Sequence, residues 1–202
     1  MVYNSAHITG YSGLKSEIIR KSLHFLIALT PGMAAVNMSV TIALLIIGTL
    51  GYTLMESMRL SGVKVPIVSS ITGMASRQRD IGRFVMGPVT LGMGALLALL
   101  LYPSTAAAIA IYALAFGDGI ASLAGKFLGK TRPAFLFGKS VEGSLACFSV
   151  VLISAYTVSG NIRIAFIAAF TAAVVEALPL EDYDNLLIPV TVGLAVQFAS
   201  II

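Results

Sequence analysis

The chain has 202 residues, of which 57 % are hydrophobic and only 11 % are Asp, Glu, Lys or Arg, with a net charge of +4. A soluble domain is about 25 % charged, so this chain has too little polar surface to cover a water-soluble globule. Composition therefore excludes an ordinary soluble enzyme, a disordered tail and a nucleic-acid-binding domain, and leaves an integral membrane protein built of spanning helices.

The stretch from Met1 to Ser16 is polar and Gly-rich and has neither the apolar core nor the cleavage site of a signal peptide. The first apolar segment is therefore expected to stay as a span. A span takes about 20 apolar residues, and seven segments approach that length: Ile18–Val36, Ser39–Met58, Gly82–Tyr102, Ser104–Phe127, Val141–Val158, Ile162–Leu178 and Leu186–Ile202. These predict an all-α, polytopic membrane protein with about seven transmembrane helices in a single domain, 1–202. Small residues such as Gly92, Gly94 and Ala106 to Ala108 allow close helix packing and permit a homodimer. Cys147, the only cysteine, lies in an apolar run and reads as a small core residue.

The connections alternate between short uncharged turns and longer charged ones. All basic residues except Arg163 fall on the side of the N terminus. The positive-inside rule then predicts a cytoplasmic N terminus in the cell membrane. Carboxylates gather at the same ends of the segments, which that rule does not require and which points to a polar site at the cytoplasmic face. The segment from Arg59 to Arg83, with Arg77 and Arg79, is expected to lie on the membrane surface against anionic phospholipid.

Several residues carry the chemistry. His24 lies in the first apolar run, with Glu17, Arg20 and Lys21 on adjoining turns of one face; Arg20, Lys21 and His24 suit phosphates or a lipid headgroup, although basic residues before a span also serve as topology signals. Glu56 and Arg59 read as an ion pair at i, i+3. Asp118 is the costliest residue, since a carboxylate at membrane depth costs about 2.5–3.5 kcal/mol on insertion scales. Gly117 and Gly119 flank it, and Ser122 and Lys126 follow at i+4 and i+8 on one helical face, so a structural relay from Asp118 to Lys126 is the plainer alternative. Ser140 suits the N-cap of the next helix, whose free N–H groups favour a phosphate; Glu142 in the first turn suits a divalent cation or simply the helix dipole. Glu176, Asp184 and Asn185 stand at helix ends, where capping is the plainer role. Neither Gly125–Thr131 nor the stretch ending in Lys139-Ser140 has the spacing or the preceding strand of a phosphate-binding P-loop.

Taken together, Arg20-Lys21-x-x-His24, Phe116-Gly117-Asp118-Gly119-Ile120-Ala121, Gly129-Lys130, Gly138-Lys139-Ser140-Val141-Glu142-Gly143-Ser144, Glu176-Ala177-Leu178 and Asp184-Asn185-Leu186-x-Ile188-Pro189 resemble the polyprenol kinase family, which includes dolichol kinase, phytol kinase and the CTP-dependent diacylglycerol kinase. The resemblance runs along nearly the whole chain. It implies transfer of the γ-phosphoryl group, with CTP as donor, to the hydroxyl of a membrane lipid alcohol at the cytoplasmic face. It further implies Mg²⁺ on Asp118 and Glu142, with Lys139, Ser140 and Gly143 at the β- and γ-phosphates. Lys126 or Lys130 would add charge. Arg20, Lys21, His24 and Asn185 would complete the pocket, with Glu176 and Asp184 in support; Asp118 and Glu176 are both candidates to orient the hydroxyl. Phosphatidate cytidylyltransferases share a similar central block, but the ending here, Asp184 to Pro189 with no histidine after His24, departs from theirs. A small ion-coupled transporter is the non-enzymatic alternative, and the near absence of charge on the far side argues against it.

Overall fold

The structure is a computed structural model that describes residues 5–75, 80 and 82–201. It is 81 % helical and, among the described residues, has no strand. The helices are α1 (Ser5–Ile27), α2 (Thr30–Val36), α3 (Met38–Leu60), α4 (Pro66–Ala75), α5 (Gly87–Leu101), α6 (Ser104–Tyr112), α7 (Gly119–Phe127), α8 (Val141–Ser159), α9 (Ile162–Ala177) and α10 (Asp184–Ile201). A π-helical turn, Ala113–Asp118, joins α6 to α7, and a short 3₁₀ turn, Ala134–Leu136, precedes α8.

Among the described residues, four helices are long and apolar enough to cross a membrane: Met38–Leu60, Ser104–Phe127, Val141–Ser159 and Asp184–Ile201. The other expected spans are helical but shorter or interrupted. α5 has 15 residues and α9 has 16, below the ~20 of a straight span. The first expected span breaks after Ile27 and restarts at Thr30 with Pro31 in its first turn, a position where proline's missing N–H costs nothing. Arg77 and Arg79 lie outside the described residues. α4, inside the segment expected on the membrane surface, packs against α1 and α3.

Ser104–Phe127 is the central helix and α3 the peripheral one: 67 % of the former's apolar window is buried, against 6 % of the latter's. α8, α9 and α10 pack side by side, and α8 and α10 also contact the π turn. Small residues of α5 and α9 fill the core. Ala95, Ala98, Ala165, Ala168, Ala169 and Ala172 are fully buried, and such residues let helix backbones approach where lipid supplies no hydrophobic drive between them. Cys147 sits buried in this core as expected.

One close approach has a traceable cause. Pro189 inside α10 has no N–H, so the carbonyl of Asn185 loses its helical donor. Gly94 of α5 packs directly over that carbonyl, where a Cβ would collide with it. The neighbouring Asn185 side chain completes the joint, donating from Nδ2 to Thr90 Oγ1 at 3.0 Å and to the Gly87 carbonyl at 3.3 Å.

Candidate functional site

Asp118 is the last residue of the π turn and is 2 % exposed. Such turns insert an extra residue into a helix and recur at functional positions. Its two glycine neighbours make room on either side: a Cβ on Gly117 would lie 2.9 Å from Val151 Cγ2 of α8, and one on Gly119 2.9 Å from Phe25 Cε1 of α1. α1 and α8 therefore close over the carboxylate.

The partners of Asp118 come from α1. Lys21 Nζ donates to Oδ2, and His24 Nδ1 lies 3.1 Å from the same oxygen. Lys21 is itself 2 % exposed. An unpaired charge here would carry a large desolvation cost, and pairing offsets it. Ser122 Oγ reaches Oδ1 at 3.4 Å. The i+4 relation to Ser122 is thus present, whereas Lys126 turns away and donates to Glu17 Oε2 at 2.9 Å. Glu17 also accepts from Arg20 at 2.6 Å.

A second cluster forms where α8 begins. Ser140 is its N-cap, with Oγ accepting from the Gly143 N–H at 3.1 Å. α7 comes unusually close at this point. A Cβ on Gly125 would lie 3.1 Å from Ser140 Oγ, one on Gly143 2.9 Å from the Ala121 carbonyl, and one on Gly129 would strike the Gly125 carbonyl and Ser140. Phe137 and Gly138, both with positive φ, make the turn into the cap. Lys139 then reaches the end of α9, with Nζ 2.9 Å from Glu176 Oε1 and also donating to the Glu176 carbonyl. Ser144 Oγ lies 3.4 Å from Glu176 Oε2.

These groups enclose a cleft of about 190 Å³ at the end of the bundle. Arg20, Lys126, Arg132 and Lys139 line it with positive charge, Glu17 and Glu176 with negative, and Ser140 and Gly143 supply the helix start. Of the expected site residues, Arg20, Lys126, Lys139, Ser140, Gly143 and Glu176 meet here. Lys130 does not line the cleft. Lys21 and His24 face Asp118, and Asn185 serves the α5–α10 joint. Asp184 Oδ1 accepts from the Asn185 N–H at 2.8 Å at the start of α10.

Glu17 and Ser122, each expected on a polar helical face, also line the cleft, and Arg132, which sequence reasoning missed, joins them. Arg132 donates to the carbonyls of Gly138 at 2.6 Å and Gly125 at 2.8 Å, tying the connection between α7 and α8 shut. No local pattern in the sequence marks that role. Glu17 was visible, sharing a helical face with Lys21 and His24.

The carboxylates expected to share a cation have other partners. Glu142 accepts from the backbone N–H groups of Lys130, at 3.1 Å, and Thr131, at 3.0 Å. No group of three or more His, Cys, Asp or Glu able to hold a metal occurs among the described residues. Mg²⁺ ordinarily keeps several waters and binds one or two carboxylates plus substrate phosphates. Asp118 is buried against Lys21 and His24 and is not among the residues that line the cleft.

Away from the cleft, the expected Glu56–Arg59 pair is present. The fully buried Glu56 takes two 2.7 Å hydrogen bonds from the Arg59 guanidinium and one of 3.0 Å from the Val85 N–H. Arg59 also donates to the Arg83 carbonyl at 3.0 Å. The pair therefore clamps the chain entering α5 onto α3.

Compared with known proteins, the chain matches no family model, no curated relative and no solved structure.

Proposed function

We propose that this protein is a membrane phosphotransferase that moves the γ-phosphoryl group of a nucleoside triphosphate to the hydroxyl of a lipid alcohol. The observation that carries the reading is the cleft. Four cationic side chains and a Ser-capped helix start converge at one end of an apolar helical bundle, one turn of α1 away from a buried Asp118–Lys21–His24 cluster. Phosphoryl transfer needs little beyond positioning and neutralisation of phosphate charge, and a helix N-terminus with Lys and Arg supplies both.

In this reading Lys139, Arg20 and Lys126 exchange their ion pairs with Glu176 and Glu17 for phosphate oxygens when nucleotide enters. Ser140 and Gly143 bring the start of α8 to the cleft wall, and Gly125 lets α7 pack closely against it. Asp118 would hold Mg²⁺, whose charge would offset that of the triphosphate, once its carboxylate exchanges Lys21 for the cation and opens to the cleft, which it does not line in the structure. Glu142 holds the 130–131 backbone and so shapes the rim. The acceptor oxygen bonds to the γ-phosphorus, the bond to the β,γ-bridging oxygen breaks, and the nucleoside diphosphate leaves with the electron pair while the hydroxyl proton passes to solvent. CTP as donor, the cytoplasmic placement of the cleft and an isoprenoid acceptor rest on the family resemblance and the distribution of basic residues.

The test is alcohol-dependent release of nucleoside diphosphate by the purified protein in nanodiscs, with Mg²⁺ and CTP or ATP. Diphosphate release that tracks added lipid alcohol supports the reading. Release of pyrophosphate would instead mark nucleotidyl transfer, and no turnover with either nucleotide across a panel of alcohols overturns an enzymatic role.

A further inference from the structure

The connection from the end of α7 to the start of α8 has two unlike sides. Arg132, Gly138, Lys139 and Ser140 line the basic cleft. Phe127, Leu128, Phe135 and Phe137 instead stand 60–73 % exposed. No Asp or Glu occurs between Asp118 and Glu142, while Lys126, Lys130, Arg132 and Lys139 all do. Lys130 is exposed and does not line the cleft. The backbone of this stretch is satisfied from within. The Val141 N–H donates to the Thr131 carbonyl at 3.0 Å, which closes the stretch into a loop. Inside it, the N–H of Leu136 donates to Pro133 at 3.0 Å and that of Lys139 to Leu136 at 2.9 Å. Glu142 takes the N–H groups of Lys130 and Thr131, and Arg132 holds the carbonyls of Gly125 and Gly138. The apolar side chains are therefore presented by a braced loop.

We propose that this loop seats in the headgroup layer of the bilayer, its phenyl rings against the upper acyl chains and Lys130 on anionic phospholipid. Its ends fix the level. Phe127 closes the apolar helix Ser104–Phe127 and Val141 opens Val141–Ser159, both long enough to cross a membrane, so the loop begins and finishes where two spans leave the hydrocarbon. Aromatic rings interleaved with cations are the composition of that layer, where amphipathic and aromatic side chains gather and anionic headgroups attract Lys and Arg. Unpaired N–H and C=O groups are what bar irregular backbone from lipid, and internal pairing removes much of that barrier here. Four large apolar side chains on one short exposed stretch mark an interaction surface. Charge selects the occupant: the stretch is uniformly basic, so it repels a second copy of itself and favours an anionic lipid over a zwitterionic one. Seated in this way, the loop holds the cleft mouth at headgroup depth. The assignment does not depend on the phosphotransferase reading.

The chain has no tryptophan, so Phe135→Trp installs a single emitter, at a position 73 % exposed where a larger ring displaces little. Leu128→Trp gives a second site on the loop, and Ile47→Trp, exposed midway along α3, marks the hydrocarbon core. Each full-length variant is placed in vesicles of phosphatidylcholine and phosphatidylglycerol. Bromine is carried on the chains of one lipid or the other, near the carbonyl end or near the chain end, and uncharged acrylamide serves as the aqueous quencher. Emission from Phe135→Trp and Leu128→Trp is expected to be quenched most by bromine near the carbonyl end, and that from Ile47→Trp by bromine near the chain end. The quenching of Phe135→Trp is expected to show a preference for phosphatidylglycerol of about two- to five-fold, the upper figure being the worth of one cation at an anionic surface. Adding Lys130→Gln is expected to lower that preference. Quenching of both loop variants by acrylamide as strong as for free indole, with no response to brominated lipid, puts the loop in water and overturns the proposal. Protection from both quenchers marks a docked protein and also overturns it. Equal quenching by the two lipids, or a preference unmoved by Lys130→Gln, overturns the choice of anionic lipid at this loop.

Discussion

Lys139 Nζ lies 2.9 Å from Glu176 Oε1, joining the start of α8 to the end of α9 across the mouth of the cleft. Both residues line that cleft; the Lys139 side chain is part-exposed, whereas that of Glu176 is buried. Lys139→Met therefore leaves a buried carboxylate without its cation, and the thermal unfolding midpoint should fall, by less than for a pair buried on both sides. Hydrogen bonds to charged groups are worth about 1.5–3 kcal/mol, so kcat/KM for nucleotide should fall about ten- to hundred-fold. Steady-state kinetics on the folded variant check this, and an unchanged kcat/KM removes Lys139 from the phosphate site.

The Lys21–Asp118 pair is expected to respond more strongly. Both partners are buried, and removing one member of a buried pair leaves an uncompensated charge at a cost of about 3–5 kcal/mol. Lys21→Met should lower thermal stability sharply. Adding Asp118→Asn to it should restore much of the loss, since no buried charge is then left alone. Transfer activity should stay absent in the double variant. Thermal unfolding in detergent alongside an activity assay separates the two effects; additive destabilisation would contradict direct pairing.

Two glycines near the α8 cap should respond to different substitutions. A Cβ on Gly129 would lie 2.6 Å from Ser140 Oγ and 2.8 Å from its Cβ, so Gly129→Ala must push α7 and the cap apart, and overpacking of this kind costs about 1–3 kcal/mol. Nucleotide affinity should fall with it. Gly138 has open space around it but a φ of +89°, so Gly138→Ala is penalised by backbone alone, about 1–2 kcal/mol. Gly138→Asn should lose less, because Asn tolerates that conformation. Unfolding midpoints of the three variants give the ranking directly.

Glu56→Ala provides a control outside the site. It strips the Arg59 guanidinium and the Val85 N–H of their buried acceptor, each unsatisfied group costing about 1–3 kcal/mol. Stability should fall while nucleotide affinity of the folded fraction holds, as measured by calorimetry below the transition.

Much of this was readable from the chain. Hydropathy located the four long apolar helices and the shorter α5 and α9, because apolar length is what a membrane demands, but neither α4 nor the start of α1 at Ser5; Ser140 and the Glu56–Arg59 pair follow from spacing of one turn. The gathering of charge at one end was visible in the same way. What local spacing could not supply were the long-range choices. Asp118 has Ser122 and Lys126 at helical spacing, yet its cation is Lys21, 97 positions away, and Lys126 is captured by Glu17. Glu142 looks like a ligand in a first turn until the 130–131 backbone folds back onto it. The π turn shifts Asp118 relative to an ideal helical register, and a turn of that kind has no sequence signature comparable to a cap. Arg132 acts through carbonyl acceptors, which every residue possesses and no pattern reveals.

The central claim is phosphoryl transfer from the outer phosphate of a nucleotide, and the position of the label on the donor tests it most directly. Purified protein in nanodiscs is given a long-chain alcohol, Mg²⁺ and CTP labelled at either the γ- or the α-phosphate, beside the Asp118→Asn variant held to the same folded fraction. The account predicts that only the γ-label moves to the lipid, and that it does so in the natural protein but not in Asp118→Asn. Transfer of the α-label to the lipid, or undiminished transfer by Asp118→Asn, would contradict it.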